Sequence, residues 1–202
     1  MPVDVAAPDH STRGRILAAA ALALSTRGYA RTHLADIAHL ADLQPPAVYH
    51  YFESRDEIVA AVMREGQRLV RRHVEAALAA LPREAGVADR LAAAIEAHLR
   101  VELELSDFAR AVTRNAGHLP ADLRSELARE SREFHDVWRS LLEQAAHLGL
   151  LHPGFDLHAG RMLVIGALNW ATEWWRPNIP IDEVVAAAQT MVLSGLLSNR
   201  RG

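Results

Sequence analysis

Three observations predict an all-α protein. Half of the 202 residues are apolar but only 5% are aromatic, and Ala and Leu dominate the apolar set, a composition that suits packed helices better than sandwiched sheets. Apolar residues recur at steps of three and four along most of the chain, and no stretch alternates with the period of a strand. The breaks between these runs hold the residues that start and stop helices. About nine helices are expected, three in a small N-terminal head (residues 10–56) and six in a larger body (57–202), a division the chain is long enough to support.

The elements follow in order. From Thr12 to Arg27, Ile16, Leu17, Ala20 and Leu24 mark one helix face, and Gly28 closes the run. Thr32 is placed to cap a short second helix, Leu34–Leu40, with Asp36 in the first turn where a negative charge suits the helix dipole. Ala41–Gln44 reads as a tight turn. Pro45 and Pro46 are tolerated only where amide hydrogens lack intrahelical partners, so they mark the start of helix three, with Val48 and Phe52 on its inner face. Ser54-Arg55-Asp56-Glu57 has the pattern of a capping box opening a fourth, longer helix from Arg55 to about Ala80.

The body continues with a helical run from Val87 to Leu105, then Ser106 and Asp107 as caps of a helix beginning at Phe108. Gly117 to Pro120 is a break. Leu123, Leu127, Phe134, Trp138, Leu141 and Ala145 form one long apolar stripe that ends at Gly149. His152-Pro153-Gly154 is a turn, Leu157–Arg176 is strongly apolar, Pro177 and Pro180 interrupt, and Asp182–Leu197 is the last helix.

Composition excludes several chemistries. Without cysteine there is no disulfide framework, thiolate metal site or cysteine nucleophile. No apolar run approaches a membrane span and the first ten residues lack a leader pattern, so a cytoplasmic protein is expected. The 11 His are scattered, with no His-Glu-x-x-His spacing, and neither a Gly-x-Ser-x-Gly turn nor a phosphate-binding glycine loop occurs. No enzyme, cofactor or metal is therefore expected; a helical enzyme or lipid-binding carrier is the rival class. All 22 basic residues are Arg, the net charge is -3, and residues 1–65 hold six Arg against eight Asp and Glu. A nucleic-acid role must rest on geometry rather than bulk charge.

That geometry is present. Two short helices joined by a four-residue turn can lay the second in the major groove, its first turns on base edges and its N-terminal amides on phosphate. The residues here, Gly28-Tyr29, Thr32, Asp36-Ile37-Ala38, Ala41, then Tyr49-His50-Tyr51-Phe52 and Ser54-Arg55, resemble the TetR family over roughly residues 13–62. Asp42, Gln44 and Pro46 depart from its usual pattern; Asp tolerates the left-handed backbone that Gly would supply at the turn. The resemblance implies an operator-binding repressor contacting DNA through Thr32, Gln44, Pro45, Ala47, Tyr49, His50 and Arg55. Tyr51 and Phe52 are expected to fill the head's core instead.

The resemblance further implies a homodimer through the last two helices, a near-palindromic operator, and a body that binds a small-molecule effector. Small residues agree with close helix packing: Gly160, Gly166, Ala167 and Ala171 in one helix, Ala186, Ala187, Ala188 and Gly195 in the next. Thr113-Arg114-Asn115-Ala116-Gly117 and the run from Asn169 to Pro177, with three of the four Trp, resemble the TetR subgroup that controls steroid-ring or fatty-acid breakdown and senses a coenzyme A thioester. Such a ligand needs an apolar tunnel, guanidinium groups for phosphates and a flat face for adenine. Phe108, Val112, Phe134, Trp138 and Leu141 are expected along the tunnel, Arg161, Trp174 and Arg176 near its mouth, and Asn115, Asn169 and Trp170 among the ligand-binding residues. Core or dimer packing is the other reading of Trp170 and Trp174.

Overall fold

The computed structural model describes residues 11–198. They form ten α-helices: α1 (Thr12–Arg27), α2 (Leu34–Leu40), α3 (Pro45–Val48), α4 (Arg55–Ala79), α5 (Val87–Arg100), α6 (Asp107–Asn115), α7 (Ala121–Glu126), α8 (Ala128–His147), α9 (Leu157–Trp174) and α10 (Ile181–Leu196). The only extended pairing among them is an isolated bridge, Leu151 to Leu197. Ten replaces the expected nine because the stripe from Leu123 to Ala145 is broken at Leu127, which ends α7. The run from Val87 likewise stops short: α5 ends at Arg100, and a π-helical turn carries Val101–Leu105 to Ser106.

Local chemistry accounts for the ends. The Ser11 hydroxyl accepts from the Gly14 amide at 3.0 Å, and Gly28, at φ 78°, donates its amide to the Leu24 carbonyl as α1 stops. The cap of α2 is His33 rather than Thr32: the His33 amide donates to the Asp36 carboxylate at 3.0 Å, while the Thr32 hydroxyl turns back to the Gly28 carbonyl at 2.9 Å. Ser54 accepts from the Glu57 amide at 3.1 Å, and the Glu57 carboxylate returns to the Glu53 amide at 2.6 Å. Ser106 accepts from the amides of Phe108 and Ala109 at 3.1 and 3.3 Å, opening α6.

The chain packs as two compact units, the first made of residues up to Leu69 with Leu105–Ser131, the second of Val70–Glu104 with Arg132 onward. The first unit buries Ile16, Leu24, Ile37, Val48, Phe52 and Met63 together with Ala111, Leu119, Leu123 and Leu127. Thus α6 and α7, distant in sequence, share the core of the head helices. Asn115 fastens them: its side-chain oxygen accepts from the Tyr29 amide at 2.6 Å, and its nitrogen donates to the carbonyls of Leu24 and Ala111 at 3.1 and 2.7 Å. On α4, Gly66 permits close approach of α6, since a Cβ there would stand 2.2 Å from the Phe108 carbonyl oxygen.

The second unit is centred on Leu91, Ile95, Leu99, Trp138, Leu142 and Leu168, with Val184, Val192 and Leu196 contributed by α10. Each fully buried aliphatic side chain is worth about 1.5–3 kcal/mol against exposure. Arg100 ties α5 to α10 through Asp182 and also pairs with Glu96 at 2.8 Å. The Gln189 amide donates to the Ala92 carbonyl at 2.9 Å.

Candidate functional site

The turn between α2 and α3 sets the aim of α3. Asp42 adopts φ 55°, the one positive value among the described non-glycine residues, so Asp supplies the left-handed step that Gly commonly makes. Around it the Asp42 amide donates to the His39 carbonyl at 3.1 Å and the Leu43 amide to the Ala38 carbonyl at 2.9 Å, the paired bonds of a Schellman stop. The Arg15 guanidinium clamps the outside, donating to the Ala41 and Asp42 carbonyls.

From this turn α3 presents one face inward and one outward. Val48 and Phe52 are buried, with the Arg13 guanidinium 5.0 Å from the centre of the Phe52 ring. Gln44, Pro46, Tyr49 and His50 are exposed, Tyr49 at 59%, and Pro45 and Ala47 are half-buried between the two sets. Tyr51, expected in the core beside Phe52, is instead 44% exposed, because it lies on the far side of the turn from its neighbour. The first turn of α3 has no free amide to offer an anion: two of its residues are Pro, and the Ala47 amide donates to the Gln44 carbonyl at 2.9 Å. Its contact chemistry is therefore carried by side chains: a carboxamide, a phenol and an imidazole, each with donors suited to base edges or phosphate.

Behind this edge, Thr32 is buried and its hydroxyl proton is held by Gly28. The Arg55 guanidinium stacks 4.1 Å from the centre of the Tyr29 ring, donates to the Tyr29 carbonyl, and is 3.5 Å from the Asp56 carboxylate. The Tyr29 hydroxyl donates to Asp56 at 3.1 Å; burial, then this carboxylate, push the phenol above its usual range, against the lowering effect of Arg55. Arg27 and Asp36 pair at 2.8 Å, and the His33 amide is the main reason the Asp36 carboxyl is held below its ordinary range.

The residues expected to hold an effector fall in both units. Phe108 and Val112 pack in the first, and Asn115 has its carboxamide committed to backbone there. In the second, Phe134, Trp138 and Asn169 gather around His98, a residue the sequence reading passed over. His98 is 1% exposed; its Nε2 lies 3.0 Å from Asn169 Oδ1, and its ring centre is 5.7 Å from Phe134 and 6.0 Å from Trp138. Burial pushes its pKa down to about 4, so the ring is neutral near pH 7. Leu141 is buried in the same core. A signal was available, since His98 continues the apolar positions Leu91, Ala94 and Ile95 of α5.

The remaining expected residues lie toward the surface of the second unit. Arg161 is 3.2 Å from the His158 ring nitrogen, and Arg176, just past the end of α9, donates to the carbonyls of Glu173 and Trp175. Trp170 is 65% exposed and shares one stripe of α9 with Leu163, at 73%, and with Gly166, Ala167 and Trp174, all exposed. On α10 the exposed residues include Ala186, Ala187, Met191 and Gly195. Gly160 and Ala171, by contrast, are buried within the chain, Gly160 against the Phe155 ring. Among the described residues no helix is long and apolar enough to cross a membrane.

Known proteins share this arrangement. The family model described as bacterial regulatory proteins, tetR family, matches residues 16–62, and the tetracyclin repressor-like C-terminal domain matches residues 84–196. The chain is 25% identical to the HTH-type transcriptional repressor KstR2 of Rhodococcus jostii (strain RHA1), over 98% of this chain and 97% of that one. It is 26% identical to the HTH-type transcriptional activator FasR of Mycolicibacterium smegmatis, over 91% and 81%. Among solved structures, AibR in complex with isovaleryl coenzyme A and operator DNA superposes with a TM-score of 0.80 at 20% identity, covering 90% of this chain and 97% of AibR, a likeness of fold. With more than half its length matched by the C-terminal model and its helix-turn-helix by the N-terminal one, the chain belongs to the tetR family and is a DNA-binding transcriptional regulator rather than an enzyme.

Proposed function

We propose that this regulator is a cytoplasmic repressor that holds a near-palindromic operator as a homodimer and releases it when a coenzyme A thioester binds the body. The observation that carries the DNA reading is the exposed edge of α3, where Gln44, Tyr49 and His50 stand clear of a buried Val48 and Phe52. Gln44 and His50 suit base edges, Tyr49 suits phosphate, and Pro45 and Ala47 offer apolar contact. Thr32 and Arg55 support that edge from behind, through Gly28 and Tyr29.

The exposed stripes of α9 and α10 support the dimer. Apolar patches of this kind are uncommon on monomers, and Gly166, Ala167, Ala187 and Gly195 allow the backbones of a second copy to come close. On this reading Trp170 and Trp174 cover the partner, while Arg161 and Arg176 remain for phosphates. The thioester rests on the relatives: one repressor shares nearly the full length, and AibR is named with isovaleryl coenzyme A.

The test is electrophoretic binding to the DNA upstream of the chain's own coding region. The unaltered protein should bind it, and the pair Tyr49→Phe with His50→Ala should bind at least ~10-fold more weakly with unchanged helical content, the loss of about two hydrogen bonds. Short- and branched-chain acyl thioesters should release the DNA where the matching free acids do not. A differential affinity of ~100-fold, about 2.7 kcal/mol, is enough to move the equilibrium that far. Equal binding by the double variant sinks the assigned edge; release by the free acids alone removes coenzyme A from the proposal.

A further inference from the structure

We propose that the buried His98–Trp138 pair reads a hydroxyl group on the body's ligand. The proposal deepens the effector reading above by naming the polar group recognised, and does not depend on coenzyme A. His98 enters from α5 and Trp138 from α8, their ring centres 6.0 Å apart in an edge-on arrangement, with Phe134 at 5.7 Å from His98. Both side chains are buried in the apolar core of the second unit, beside Ile95, Leu142 and Leu168.

The chemistry of the pair follows from its hydrogen bonds. Asn169 Oδ1 can only accept, so at 3.0 Å it fixes the proton of the neutral imidazole on Nε2 and leaves Nδ1 as a bare lone pair. That Nδ1 is buried and has no hydrogen-bond partner among the described residues, and the Trp138 indole N–H, also buried, has none among them either. One acceptor and one donor thus stand in neighbouring rings, each an unpaired polar group among apolar side chains. A hydroxyl both donates and accepts, and so answers both. A carbonyl or carboxylate oxygen answers only the indole, an ammonium only the imidazole, and a methyl neither. The ligand class is therefore a hydroxylated acyl or ring compound, distinguished from its deoxy and oxo counterparts.

Three small probes of one shape separate these cases: benzyl alcohol, benzaldehyde and ethylbenzene, added to the full-length 15N-labelled protein. Long-range 1H–15N NMR reads the His98 ring nitrogens and the Trp138 indole N–H directly in the unaltered chain. Benzyl alcohol should move both His98 Nδ1 and the Trp138 N–H, benzaldehyde only the latter, and ethylbenzene neither. Benzyl alcohol should also bind about 10-fold more tightly than ethylbenzene. His98→Phe, where it folds, should abolish that preference; the spectra of the parent chain decide the matter where it does not. Equal affinities overturn the proposal, as do nitrogens that benzyl alcohol leaves unmoved, whether because a resident water holds the pair or because nothing enters. A coenzyme A thioester with a hydroxylated acyl group that releases operator without moving either nitrogen overturns the hydroxyl reading and spares the effector reading. A hydroxyl response with no thioester effect does the reverse.

Discussion

His98 carries a pH dependence with a definite sign. In the unfolded chain its imidazole titrates near 6.5, whereas burial holds the folded value at about 4. Between those values the unfolded state binds a proton that the folded state lacks, so this contribution is fully present above about pH 6.5 and is lost as pH falls toward 4. At pH 5 the loss is on the order of 2 kcal/mol. Burial shifts His73 and His135 in the same direction, so their contributions have the same sign. Urea unfolding at pH 7.5 and 5.0 should show the midpoint falling, and His98→Phe should flatten the fall; an equal fall in the variant would assign the effect elsewhere. Single residues also mark where the sequence was legible. Asp42 was, because tolerance of a left-handed backbone is a property of the residue itself, and the turn uses it. Thr32 and Tyr51 were not, because the Thr32 hydroxyl turns back to the Gly28 carbonyl rather than to the amides of α2, and residue type does not tell which ring of the Tyr51-Phe52 pair is covered. His98 was missed because, although it continues the apolar positions of α5, the sequence alone does not show that Phe134, Trp138 and Asn169 gather around it.

Among the elements, the contact of α4 with α6 is the one most sensitive to a single atom. A Cβ at Gly66 would meet the Phe108 carbonyl oxygen at 2.2 Å and Val112 Cγ2 at 2.6 Å, and a backbone oxygen cannot swing aside. Gly66→Ala should therefore destabilise the protein by about 1–3 kcal/mol despite its better helix propensity. At Gly160 the obstacle is the Phe155 side chain, which can rotate, so Gly160→Ala should cost less. Thermal unfolding of the two variants checks the order, and a larger loss at Gly160 would show that α6 yields more easily than the Phe155 ring. Several helix ends were legible in the sequence because Gly28, Ser54 and Ser106 act through their own hydrogen bonds or backbone. The end of α7 was not. Leu127 continues the three- and four-residue spacing of the stripe, yet it is buried with Leu123 in the first unit while Trp138 and Leu141 serve the second. Periodicity records that residues are buried, not in which core.

For the whole molecule, the proposed dimer gives a test that separates partner contacts from internal packing. Nothing lies within 4 Å of a Cβ at Gly166 or Gly195, so the single chain has room for a larger side chain at either place. Gly166→Leu and Gly195→Leu should leave the helical content and thermal stability of the monomer intact while light scattering shows the dimer lost, and tight operator binding lost with it. A variant that remains dimeric would move the interface away from these stripes. The partition of the chain bears on transplantation. A graft that carried only residues 10–56 onto a foreign body would leave behind Ile58, Val62 and Met63 of α4 and the leucines at 119, 123 and 127, all of which bury against the head's own helices. Such a chimera would begin life with an open wound of apolar surface, prone to aggregation whatever the quality of its DNA contacts. A portable reading module from this regulator would have to bring two separate stretches, residues 11–69 and 105–131, and a new loop to join them.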